Sequence, residues 1–117
     1  MTLADFLDQI AEAERRFWFI TRISEMDETE RAIKVRFEML GNFVIQAFLS
    51  EATGRINFAL IHSQQRLFGY DYEHGQWHRH PYAAAEQHVP VLEGLAPHPL
   101  IQFLAEVETI LVENDLI

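Results

Sequence analysis

The sequence predicts an α+β fold: an antiparallel five- or six-stranded meander sheet, with an N-terminal and a C-terminal helix packed on one face. Three observations carry this. Apolar residues recur at helical spacing at both ends, strict alternation marks the middle, and short polar turns separate the alternating segments. At 117 residues, 49% hydrophobic and 12% aromatic, the chain reads as one domain over 1–117 with a single core.

The chain opens on Thr2-Leu3-Ala4-Asp5, the Ser/Thr-x-x-Asp/Glu pattern of a capping box. Leu3, Phe6, Leu7, Ile10 and Ala13 share one helical face, with Asp5, Asp8, Gln9 and Glu12 opposite, so a first helix is expected from about Leu3 to Arg15. Its acids lie toward the start and Arg15-Arg16 at the end, as the helix dipole favours. The aromatic and β-branched run 17–23 reads as a strand, followed by a turn at 27–30. Ile33, Val35, Phe37 and Met39 then alternate with Lys34, Arg36 and Glu38, a strand with one buried face. Further strands are expected at 43–49, 55–62, 66–72 and 77–80, joined by turns at Gly41-Asn42, Thr53-Gly54, Ser63-Gln64-Gln65 and 73–76. All four prolines fall within 81–99, which marks a loop crossing back over the sheet. Pro99 suits the first position of a helix, and the stripe Leu100, Phe103, Leu104, Val107, Ile110 and Leu111 carries it to about Asn114. Two helices on one face leave the other partly open.

The net charge is −9, from 18 acids against 9 bases, and Lys34 is the only lysine. The clustered Lys and Arg of nonspecific nucleic-acid binding are missing, and a basic protein partner suits the overall field better than a polyanion. The chain has no cysteine, which excludes disulfides and thiolate zinc sites. No basic stretch leads into an apolar one at the start, and runs such as 17–20 are too short for a bilayer. A cytoplasmic protein without membrane contact is expected.

Five of the six histidines fall between His62 and His88, three of them close to Trp77-His78-Arg79-His80-Pro81 or within it. On a strand, His78 and His80 share a face and Arg79 takes the other. Two chemistries fit. In the first, His78 and His80 give and take protons on a phosphodiester. Asp71 orients an imidazole through its second N–H, and Arg66 clamps the charge that develops. In the second, the His-x-His pair holds a metal ion with a third ligand from His62, His74, His88, Asp71 or Glu86. Such short spacings often match by accident, so the acid–base reading is taken and no metal or cofactor is assigned. Tyr70, Tyr72, Trp77 and Tyr82 surround the histidines; aromatics beside cations stack bases, and the same side chains serve as dimer contacts or core edge. His62, Tyr70, Tyr72, Trp77, Arg79 and His88 are therefore the expected substrate- or partner-binding set.

The order Phe68-Gly69-Tyr70-Asp71-Tyr72, then Trp77-His78-Arg79-His80-Pro81, then His88, resembles the TumE-like family of toxin–antitoxin components. That family carries a strand entering an Arg-Tyr-Asp-Asn-Ala-Pro-His-His type motif, then a His-rich, Pro-containing loop and a C-terminal helix. The resemblance covers 62–88 in motif and roughly 43–114 in order of elements. Tyr70 and Asp71 match the Tyr-Asp, His78 and His80 take the part of the paired histidines, His88 that of the downstream one, and His62 that of one preceding the turn. Gly69 and Tyr72 stand where the family has arginine and asparagine. The resemblance implies an intracellular toxin-like protein, paired with a cognate antitoxin-like protein and acting on nucleic acid. The charge balance favours a rival: a non-catalytic interaction module, a homodimer binding a partner on its open sheet face. Under either reading His62, His78, His80 and His88 are expected near one another, at least two of them on a shared concave surface.

Overall fold

The computed structural model describes residues 1–117. Helix α1 (Leu3–Arg16) begins with the expected box: the Thr2 hydroxyl accepts from the Asp5 N–H, and the Asp5 carboxylate accepts from the Thr2 N–H. Seven strands follow: β1 (Ile20–Glu28), β2 (Ala32–Met39), β3 (Phe43–Ser50), β4 (Ile56–His62), β5 (Gln65–Glu73), β6 (Gln76–His80) and β7 (Val89–Val91). Each pairs antiparallel with the next, so the meander is unbroken. Helix α2 (Pro99–Glu113) closes the chain. No helix is long and apolar enough to cross a membrane.

The sheet thus has seven strands, where five or six are expected from the sequence. The extra one, Val89-Pro90-Val91, lies inside the proline-rich stretch that reads as loop. It pairs with β6 at the edge of the sheet, where one side of the ladder is unpaired and a proline is tolerated. The first strand also starts later than its aromatic run. Phe17 and Phe19 enter the core from the turn after α1, while Trp18 is exposed and its indole N–H donates to Glu108 of α2 at 2.7 Å. Asp27 and Glu28, expected in a turn, extend β1 instead; acidic residues are at home on an edge strand.

The core lies between the sheet and the two helices. β2, β3 and β4 send Ile33, Val35, Phe37, Ile45, Ala47, Leu49, Phe58 and Leu60 into it. Phe6 of α1 stacks on Phe58 with ring centroids 6.2 Å apart, and Phe103 of α2 sits 5.2 Å from Phe58 and 5.5 Å from Phe68. Gln9, which helical spacing places among polar residues, is buried. Its Oε1 accepts the Leu100 N–H at 2.9 Å, satisfying one of the unpaired donors at the start of α2.

Two tight hairpins set the register that matters for the site. Ser63-Gln64 (φ 51° and 65°) and His74-Gly75 (φ 52° and 75°) both have positive φ at the two central positions, the turn that matches strand twist. They place Asn57 opposite Asp71, Asp71 opposite His78, and Gly69 opposite His80. A bulge interrupts the β4–β5 ladder: Phe68 pairs with Leu60 but Arg66 pairs with Ile61, leaving Leu67 unpaired. The bulge reverses the alternation and turns Arg66 onto the face that carries Asp71.

Candidate functional site

The helix-free face of the sheet carries His78, His80 and Asp71. Residues paired across antiparallel strands share a face, so His78, Asp71, Asn57, Phe48 and Lys34 form one row. His80, Gly69, Ala59, Gln46 and Arg36 form the next.

His80 anchors the site. Its side chain is 3% exposed. Its Nδ1 lies 2.9 Å from the Ala85 carbonyl oxygen, which can only accept, so Nδ1 carries a proton and donates it. Its Nε2 lies 2.7 Å from Asp71 Oδ2. The other carboxylate oxygen, Oδ1, accepts from Asn57 Nδ2 and lies 3.7 Å from Arg66 Nη2. Arg66 also donates to Asn57 Oδ1 at 3.3 Å. The segment that carries Ala85 brings His88 back as well, with its exposed ring 4.3 Å from that of His80 and 6.5 Å from that of His78. Asp71, His80 and His88 each offer one ligand-type atom within 4.8 Å of the other two.

Gly69 makes room for this arrangement. A Cβ there would lie 2.5 Å from the Phe58 carbonyl oxygen, and 3.2 Å from Arg66 Nε and 3.4 Å from Arg66 Cζ, so the guanidinium packs directly against the glycine. Arg66 also lines a cleft of about 530 Å³ together with Leu67, Tyr82 and Glu86, which gives the network a neighbouring opening. A larger cleft of about 810 Å³ lies elsewhere, between α1 and the segment before α2, and includes Asp8, Glu12, Glu93 and His98. None of the clustered histidines lines it.

The structure joins Asp71, Arg66, His78, His80 and His88, and separates the rest of the expected set. His62 lies on the helix side at the end of β4, its ring 4.4 Å from Phe43, so the expected grouping with His78, His80 and His88 does not form around it. Tyr70, Tyr72, Trp77 and Arg79 also face the helices, because strand parity opposes them to Asp71 and His78. Tyr72 and Trp77 pack together at 5.0 Å. Arg79 lies 5.0 Å over the Phe68 ring and 3.8 Å from Glu106 of α2. The Tyr70 hydroxyl donates to Glu106 at 3.0 Å, and burial, reinforced by the Glu106 charge, pushes its pKa up to about 12. Tyr70 and Arg79 therefore meet α2 at the sheet–helix interface, while Tyr72 and Trp77 line the larger cleft of about 810 Å³ beside α1. Both nitrogens of His80 are engaged internally, Nδ1 with the Ala85 carbonyl and Nε2 with Asp71.

Two partners escape the sequence reading. Asn57 is an ordinary outward strand position until the register sets it beside Asp71. The Ala85 carbonyl belongs to a segment whose path no local pattern gives.

The net charge is unevenly placed. Asp5, Asp8, Glu12 and Glu14 lie on α1, and Glu106, Glu108 and Glu113 on α2. On the open face, Arg22, Lys34, Arg36 and Arg66 stand against Glu25, Asp27, Glu38, Asp71 and Glu73, close to balance, with the histidines added.

Compared with protein-family models, with curated proteins and with solved structures, the chain matches none.

Proposed function

We propose that this protein is the toxin-like half of a toxin–antitoxin pair and acts on a nucleic-acid phosphodiester at its open sheet face. The observation that carries the reading is the convergence of Asp71, His80, His88 and Arg66 on that face, where no helix stands between the cluster and a substrate. Arg66 is the anion clamp, because its guanidinium forks toward both the Asp71 network and the adjacent cleft. The cluster of Asp71, His80 and His88 is the reactive centre, and His78 flanks it. The TumE-type motif supports the reading in a specific way. Its arginine is absent at Gly69, but the bulge brings the Arg66 guanidinium against that glycine. The placement of charge is compatible with it, since seven of the 18 acids lie on the helices behind the sheet and the open face is close to balance.

The test is expression of the chain without its genomic neighbour. Wild type is expected to arrest growth, the neighbour's product to relieve the arrest, and the purified chain to cleave or modify RNA or single-stranded DNA. Arg66→Ala is expected to lose the arrest while remaining soluble. A wild-type chain that leaves growth untouched and nucleic acid intact overturns the reading.

A second reading rests on a different observation. Val44, Phe48 and Ile61 bring apolar surface to the open face, and no helix covers it. That surface suits a homodimer or a protein partner. A stable dimer whose contacts include Phe48, with no effect on growth, selects this alternative.

A further inference from the structure

We infer that Asp71, His80 and His88 form a binding site for one divalent first-row metal ion of the zinc or iron type. The inference shares its site with the toxin reading and rests on that reading only for the use to which the ion is put.

The donor set is the first argument. Two imidazoles and one carboxylate suit borderline ions, whereas magnesium and calcium prefer oxygen ligands alone. Three protein ligands leave open positions, which is the pattern of a catalytic site rather than a closed structural one. The second argument is the shell behind the ligands. A metal-binding histidine commonly donates its remote N–H to a backbone carbonyl or carboxylate. His80 does this through Nδ1 to Ala85 O at 2.9 Å, which leaves Nε2 as its ligand atom. Asp71 is held in the same way: Asn57 and Arg66 lie at Oδ1, so Oδ2 is the oxygen turned to His80. The third argument is reach. Ligand atoms bonded at about 2.0–2.2 Å to one ion lie roughly 3.0–3.5 Å from one another. The three atoms now fall within 4.8 Å, with Nε2 and Oδ2 at 2.7 Å. A modest opening of the His80–Asp71 pair and an inward shift of exposed His88 meet those distances. Binding is balanced in protons: the one between Nε2 and Oδ2 leaves to solvent as the ion enters. His78 reaches the same face but is absent from the set, so the ligands are not the adjacent His-x-His pair that strand spacing alone suggests.

The probe is Co²⁺, added to the full, untagged chain after treatment with a chelator. The expected result is one equivalent bound, with visible d–d absorption that Zn²⁺ displaces. His88→Ala removes an exposed side chain and keeps the fold, checked by circular dichroism; it is expected to weaken binding by at least about 100-fold. Asn57→Ala, which touches only the shell behind Asp71, is expected to weaken it by about 10–100-fold. His74→Ala, at the hairpin tip, is expected to bind as wild type does. Absence of the absorption band, or equal binding by His88→Ala and wild type, overturns the inference. A chain that binds cobalt in this way but never arrests growth discards the toxin reading and keeps the metal site. Arrest by a chain that binds no metal does the reverse.

Discussion

Tyr70 and Asp71 are neighbours in sequence and face opposite layers of the molecule. Tyr70 points to α2, where its hydroxyl donates to Glu106; Asp71 points away from the helices to His80. The Tyr70 phenol is held in its protonated form, from an ordinary value of 10.0 up to about 12, by burial and by the facing carboxylate. A raised folded-state pKa means that the folded chain keeps its proton longer than the unfolded chain does. The contribution to stability is therefore complete below about pH 10 and is lost as pH climbs toward 12. Urea melts at pH 8 and pH 11 are expected to show a loss of stability in wild type that is smaller in Tyr70→Phe. At pH 8 the variant should be less stable by about 1 kcal/mol, for the missing hydrogen bond. At this scale strand parity was legible: His78 with His80 on one face, Arg79 on the other. The burial of His80 was not, because it depends on Ala85, a carbonyl with no chemical signature in the sequence.

Strand β5 shows how an element builds a site from residues that look unremarkable in order. Its bulge at Leu67 brings Arg66 to the open face, and the guanidinium packs directly against Gly69. Gly69 has an ordinary strand conformation, so its importance lies in close approach rather than in backbone freedom. A Cβ there would stand 2.5 Å from the Phe58 carbonyl oxygen on the neighbouring strand. Gly69→Ala is accordingly expected to cost on the order of 1–3 kcal/mol in denaturant melts, as overpacking does, and to displace Arg66. Most elements could be read from the chain: the capping box, both apolar stripes and the hairpin turns announce themselves locally. β7 could not, since proline argues against a strand everywhere except at an edge, and edge position is a property of the assembled sheet. The bulge was equally hidden, and with it the pairing of Asn57 with Asp71.

At the scale of the whole molecule, the fold separates two surfaces that composition averages together. A net charge of −9 reads as hostile to polyanions, but the helices carry a large share of the acids and the open face is close to neutral. The concentration of histidines located the site in the sequence. The choice among them needed the third dimension, which excluded His62 and brought His88 back across the sheet. Whether function belongs to the open face is read most directly from growth arrest by single variants produced at wild-type level. One set alters the open-face cluster: Arg66→Ala, Asp71→Asn and His88→Ala. The other alters the helix side and the hairpin tip: His62→Ala, Tyr72→Phe and His74→Ala. A functional open face means that arrest is lost throughout the first set and kept throughout the second. Arrest that survives in the first set, or fails in the second alone, contradicts it.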